Sequence, residues 1–191
     1  MNDKPNAFTL YELAVALSLA LVLATIVATA VRAAVERSHE VVNISNLRQI
    51  GMGIHSYLSD NNGTFWTLED IGRSSFRAVD DPLGLPVLLS KYVDKQTWWN
   101  PAGMPVVKEY GNNYAWNRNS SLLGRPAIAS PNLYKTSLVW DNYTFTLPSV
   151  RNVSEPSTGG PRNAPRSYWR YPHRGNTAAA WLQGDGRVII R

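Results

Sequence analysis

Glu12 is the side chain whose chemistry most needs explaining, because it stands at the mouth of a run, Leu13 to Val31, that contains no charged residue. A carboxylate carried unpaired to the middle of a bilayer costs about 2.5 to 3.5 kcal/mol, so such a group either reaches water at the membrane edge or has a cationic partner. A second cluster lies late in the chain, where Arg162, Arg166, Arg170 and Arg174 alternate with Tyr168, Trp169 and Tyr171. Arginines between stacking rings, Arg162, Arg166, Trp169, Arg170 and Arg174 here, suit contact with single-stranded nucleic acid or another acidic polymer. The same neighbours also occur as cation–π packing in ordinary domains, which is the preferred reading, so a nucleic-acid partner is not expected. His173, Asp141 and Asp185 offer ligand and acid/base atoms, but no His-x-x-x-His pair accompanies them, and turn and hydrogen-bonding roles fit them better. Asp60-Asn61-Asn62-Gly63 has half the oxygens of a calcium loop and lacks the rest; it reads as a helix-ending turn. His55 reads as a surface or domain-contact residue. No Gly-x-Ser-x-Gly elbow or phosphate-cradling glycine loop occurs. The sequence therefore gives no argument for an enzyme, a catalytic residue, a metal or a cofactor.

The elements that must position these groups are bounded by composition. The chain has 191 residues, enough for one membrane segment and one modest globular domain. It has no cysteine, and charged residues make up only 17%, while seven tryptophans and nine tyrosines supply large apolar contacts. Much of the net charge of +5 sits late, with Arg151, Arg162, Arg166, Arg170 and Arg174 facing only Glu155.

Three readings of the N-terminus compete. Ala28-Thr29-Ala30 suggests a signal-peptidase site, but the apolar stretch is long for a signal peptide and Glu12 is out of place at its start. An uncleaved anchor fits the length, about 20 residues for a spanning helix, yet leaves Glu12 unexplained. The leader Met1 to Ala7 carries Lys4 against Asp3, so flanking charge does not orient the segment decisively. In the third reading the leader is removed between Ala7 and Phe8, and the chain then begins Phe8-Thr9-Leu10-Tyr11-Glu12.

That start resembles bacterial type IV prepilins and the pseudopilins of type II secretion, which combine a short leader, a Phe-Thr-Leu-x-Glu opening and an unbroken apolar helix. Ala7 departs from the glycine usual before the cut. Further on, Leu47-Arg48-Gln49-Ile50-Gly51 and Tyr57-Leu58-Ser59-Asp60-Asn61-Asn62-Gly63 are similar to a pseudopilin-like subgroup, as is Tyr110-Gly111-Asn112-Asn113. Asn100-Pro101 stands where that subgroup often has Cys-Pro. His173 precedes Asp185-Gly186 by two residues more than the subgroup's His-x9-Asp-Gly. The likeness is strong to about residue 65, patchy through the middle and moderate at the end.

The resemblance implies cleavage after Ala7 by a prepilin peptidase, N-methylation of Phe8, and an assembly salt bridge from Glu12 to the Phe8 ammonium of a neighbouring subunit. It also implies a single-pass inner-membrane protein with its globular domain periplasmic. An assembly platform would draw it into a homo- or hetero-filament, a pilus or a secretion pseudopilus, in the periplasm or at the cell surface. The rival reading is a membrane-tethered module that binds nucleic acid or a surface polymer through its basic, aromatic C-terminal region.

The expected fold is α+β, a long N-terminal helix packed on a small antiparallel sheet. The expected segments are a leader (1–7), a transmembrane half-helix (8–31), its amphipathic continuation (32–59) and a β-rich domain (60–191). Leu47, Ile50, Gly51, Ile54, Tyr57 and Leu58 follow the i, i+3, i+4, i+7 rhythm of a buried face, leaving Arg48 and Gln49 nearer solvent. Val31, Ala34, Val35 and Val42 extend a weaker stripe upstream. Gly51 and Gly53 suit close approach of the covering domain. Ser137–Trp140, Tyr143–Phe145 and Ala178–Leu182 are strand candidates. Trp181 to Ile190 reads as a hairpin turning at Asp185-Gly186, both with positive φ.

Overall fold

A computed structural model describes residues 9–74, 76–101, 110–118, 121–130, 132–141, 144–145, 169–170 and 180–190, with the backbone alone at 144–145 and 169–170. The fold is α+β. Helix α1 (Leu10–Asp60) is a single helix of 51 residues, and no proline interrupts it. The chain divides into two units, one ending at Ser38 and one beginning at His39.

In the first unit every described residue of α1 before His39 is exposed. Leu17, Leu21, Leu23 and Ile26 are among the large apolar side chains left uncovered. The hydroxyls in this stretch turn inward: Ser18, Thr25 and Thr29 donate to the carbonyls of Val15, Val22 and Ile26 at 2.8, 2.7 and 2.8 Å. Back-bonded hydroxyls present little free polarity to an apolar surrounding.

In the second unit the core gathers on one face of α1. Leu47, Ile50, Ile54 and Leu58 are buried, with Leu85, Leu89, Trp98, Tyr114, Trp116, Val139 and Leu182 packed around them. Arg48 and Gln49 are exposed, as the helical rhythm predicts, while Tyr57, expected on the buried face, is half-buried against the core. The stripe does not continue upstream: Val31, Val35 and Val42 are exposed, and the buried face of α1 begins at a polar residue, Asn43.

Gly53 lets the Val93 side chain lie where a β-carbon would stand, and Gly51 faces Leu182. The helix stops after Asp60 because Asn62 and Gly63 take φ of 55° and 72°, and the Gly63 N–H donates back to the Leu58 carbonyl at 2.6 Å. This positive-φ exit satisfies carbonyls that the helix end leaves without partners. Two short helices follow, α2 (Leu68–Ile71) and α3 (Leu85–Leu88).

The four-stranded sheet is wholly antiparallel, in the order β1 (Tyr114–Trp116), β2 (Ser137–Asp141), β5 (Ala180–Gln183) and β6 (Val188–Ile190). Between β2 and β5 in sequence lie β3 (Thr144–Phe145) and β4 (Trp169–Arg170), which pair with each other in a separate two-stranded ladder. Val139 is paired with Leu182, both fully buried. Trp140 and Trp181 oppose each other on the other face, their rings stacked at 5.4 Å. The expected strand at 178–182 is present from Ala180; Ala178 and Ala179 lie outside the described residues.

The last hairpin lies where the Asp-Gly dipeptide places it, but its turn differs from expectation. Gly186 alone in the turn has positive φ, 83°. The Gly186 N–H donates to the Gln183 carbonyl and the Gln183 N–H to the Arg187 carbonyl. This is a three-residue loop with a glycine bulge, in which Asp185 keeps negative φ and its carboxylate accepts from the Arg187 N–H at 3.1 Å.

Candidate functional site

Ala7 and Phe8 lie outside the described residues; Thr9 to Glu12 lie within them. Thr9 precedes the first turn of α1, and its N–H and hydroxyl both donate to Glu12 Oε2, at 2.9 and 2.8 Å. The Glu12 N–H donates in return to the Thr9 hydroxyl at 3.2 Å. This reciprocal pair is a capping box, Thr-x-x-Glu, which satisfies two of the orphan donors of a helix start. The same chain builds it a second time at Thr67 and Asp70, where α2 begins.

Two consequences follow for Glu12. Its carboxylate is drawn back toward the helix N-terminus, where the aligned peptide dipoles favour negative charge. Both Thr9 bonds end on Oε2, so among the described residues Oε1 carries no hydrogen bond. The arrangement thus presents one anchored carboxylate oxygen and one left open by Thr9 at the edge of the uncharged run Leu13 to Val31. Chemically it can accept a cationic donor, an ammonium above all, in fixed geometry; it holds no nucleophile or proton relay.

Beyond the box, α1 is the one helix among the described residues long and apolar enough to cross a membrane, and none of its apolar window is buried.

The other sites singled out in the sequence fare differently. Arg162, Arg166, Arg174 and His173 lie outside the described residues. Trp169 and Arg170 form β4, with backbones opposite Phe145 and Thr144; their side chains are not described. No group of three or more His, Cys, Asp or Glu side chains able to hold a metal occurs among the described residues. Asp60 ends the helix and accepts from Lys91 Nζ and the Tyr92 hydroxyl, each at 2.7 Å; Lys91 foremost, then Tyr92, holds its carboxyl below the ordinary value. His55 is exposed on α1, with the tip of the last hairpin nearby: a β-carbon on Gly186 would sit 4.0 Å from its Nε2.

A buried polar cluster has little signal in the sequence. Asn43 donates its side-chain amide to both carboxylate oxygens of Asp141, at 2.9 and 2.8 Å, and accepts from the Tyr114 hydroxyl at 2.7 Å. Asp141 Oδ2 also accepts the Ala180 N–H at 2.6 Å. All four residues are buried to about 1% exposure or less, and burial, then the Asp141 charge, drives the Tyr114 phenol well above its ordinary pKa. The cluster joins α1, β1, β2 and β5 at the first buried position of the helix. What signal there is lies in register: Asn43 falls four residues before Leu47, on the face that continues through Asn46 into the apolar stripe.

No known protein family, curated protein or solved structure matches this chain.

Proposed function

We propose that this chain is a pilin-like structural subunit, made as a precursor, anchored by the first half of α1 in a bacterial inner membrane and assembled through that helix into a pilus or a secretion pseudopilus. The observation that carries the reading is the Thr9–Glu12 box at the mouth of the exposed, uncharged run Leu13 to Val31. A capping box serves any helix start, but a subunit whose leader is removed after Ala7 gives the carboxylate a second use: the new ammonium of Phe8 on a neighbouring copy. Thr9 holds Glu12 by one oxygen and leaves the other for that ammonium. In a bundle of such helices apolar packing supplies the cohesion. The ion pair supplies the stagger, because a misplaced subunit buries two unpaired charges.

The partners in this reading are a prepilin peptidase, like subunits and an inner-membrane assembly platform, with the sheet domain on the periplasmic side. Intact-mass measurement of the membrane-extracted protein tests it directly. The expected mass lacks Met1 to Ala7 and carries one added methyl group. An intact chain, or one beginning after Ala30, overturns the reading.

A further inference from the structure

Eight residues of α1 are buried, and the first two of them, Asn43 and Asn46, carry side-chain amides. The rest, Leu47, Ile50, Gly51, Gly53, Ile54 and Leu58, are apolar or glycine and recur turn by turn. Such a stripe does not by itself say where along the helix the sheet is seated. Sliding α1 by four residues, about 6 Å at 1.5 Å per residue, brings Ile54 to the place of Ile50 and Leu58 to that of Ile54, apolar for apolar. The same slide brings Leu47 to the place of Asn43. There it meets the Asp141 carboxylate and the Tyr114 hydroxyl, both buried and both bonded to Asn43 in the observed register. Ile50 likewise replaces Asn46, whose side-chain amide donates to the Trp99 carbonyl at 2.9 Å. Buried polar groups set against apolar side chains lose the partners that make their burial tolerable. The polar head of the stripe therefore separates registers that its apolar body does not.

We propose that the Asn43–Asp141–Tyr114 cluster is the register lock of α1: it fixes which turn of the helix faces the sheet, and so how many residues of α1 precede the core. Apolar packing holds helix and sheet together, and Asn43 selects the turn. Asp141 suits this task because it also accepts the Ala180 N–H at 2.6 Å. Strand β5 thus steadies the carboxylate that β2 carries, and Tyr114 adds β1 to the same point. A single buried asparagine sets register in the same way between the helices of a coiled coil. The lock concerns packing within the unit that begins at His39 and stands apart from the assembly reading.

The chain has no cysteine, so disulfides introduced in pairs can report the register. A β-carbon on Gly53 would lie 3.6 Å from Val93 Cβ, within the range of about 3.5 to 4.5 Å that a disulfide spans. Gly53→Cys with Val93→Cys therefore reports the observed register. Val93→Cys also takes the branched side chain out of the glycine notch and leaves the choice of turn to the polar cluster. Gln49→Cys or Tyr57→Cys, each with Val93→Cys, reports a slip of one turn in either direction. The full chain in detergent is oxidised, and intrachain disulfides are quantified by peptide mass spectrometry. With the cluster intact, the bond between positions 53 and 93 should exceed the other two by about tenfold or more; comparable yields overturn the proposal. Asn43→Leu, Asp141→Leu and Tyr114→Phe are then combined. If amide protection in β2 and β5 stays within about threefold of the parent, that excess should fall about tenfold; an unchanged excess overturns the lock. Should the triple variant lose its protection, exchanging the two groups decides. Asn43→Asp alone sets two carboxylates face to face and should lower the 53 to 93 yield about tenfold. Adding Asp141→Asn restores a donor between them and should bring the yield back to within about threefold of the parent. No recovery overturns the proposal.

Discussion

Glu12 and Asn43 are both polar groups on an apolar helix, and their settings give them opposite consequences. Glu12 is exposed and, among the described residues, bonded to Thr9 alone through its carboxylate, so replacing it by glutamine should leave the fold alone. Glutamine still serves the capping box but lacks the charge that answers an ammonium. We expect Glu12→Gln to accumulate in the membrane at normal level and to form few or no filaments when it is the only subunit present, scored by electron microscopy of sheared cells. Glu36→Gln and Glu40→Gln, further along α1, should assemble as the parent does. Parent-like filaments from Glu12→Gln would remove the register role from Glu12. Asn43 is buried and bonded to Asp141 and Tyr114. Asn43→Ala takes a donor from a buried carboxylate and the acceptor from a buried phenol, and a stranded buried group costs about 1 to 3 kcal/mol. Chemical denaturation should show a loss of that order or somewhat more. Ser45→Ala, at an exposed position of α1, is the control and should show no such loss.

At the scale of elements, the contact between α1 and the sheet domain is set by shape as much as by apolar area. Ile54 is 1% exposed within the core, and Ile54→Ala should cost about 2 to 5 kcal/mol, the transfer and cavity terms together. The two helix glycines separate propensity from packing. Alanine is favoured over glycine inside a helix by about 1 kcal/mol, but at Gly53 the added carbon would overlap Val93 Cγ2, and overpacking costs about 1 to 3 kcal/mol. Gly53→Ala should therefore lower the melting temperature. At Gly51 the nearest atom is the end of the Leu182 side chain, at 3.1 Å, so Gly51→Ala should lower it less or raise it.

The exit of α1 is sensitive to acid. Lys91 first, and then Tyr92, hold the Asp60 carboxyl below its ordinary value. A carboxyl whose folded pKa is depressed contributes stability above its unfolded pKa and loses it as pH falls through the folded value. The difference in melting temperature between the parent and Asp60→Asn should thus be constant near neutrality. It should shrink below about pH 4, the unperturbed carboxylate range. A difference that persists unchanged in strong acid would assign the effect to something other than the charge.

For the molecule as a whole, the proposed assembly asks the first half of α1 to exchange lipid for neighbouring helices. That exchange costs little, since one apolar surrounding replaces another, and the hydroxyls of Ser18, Thr25 and Thr29 already have their partners within the helix. Processing comes first. Ala7→Leu should leave full-length precursor in the membrane, because a bulky side chain replaces a small one beside the cut. Immunoblotting against the parent reads the outcome, and a mature chain beginning at Phe8 in normal yield would count against a peptidase that selects for a small residue there.

The sequence alone determined the local features. The uncharged run after Glu12, the helical rhythm from Leu47 to Leu58, the Asp60 to Gly63 stop and the position of the last hairpin are legible because each depends on neighbours within a turn or two. Helix periodicity, positive-φ residues and charge are properties of short stretches. The Thr9–Glu12 box is equally local, its partners three residues apart, yet Glu12 reads from the sequence only as a charge in need of a cation and not as a helix cap. The tertiary structure decided the rest. Asn43 and Asp141 are 98 positions apart, and neither reads as buried until the sheet order β1-β2-β5-β6 brings Tyr114, Asp141 and Ala180 to the same place on α1. The end of the buried stripe at Asn43, the bond from the Ala180 N–H to Asp141 and the pairing of β2 with β5 share that cause. A buried polar residue is stable only with its partners in position, and those partners come from distant strands that only the folded chain brings together.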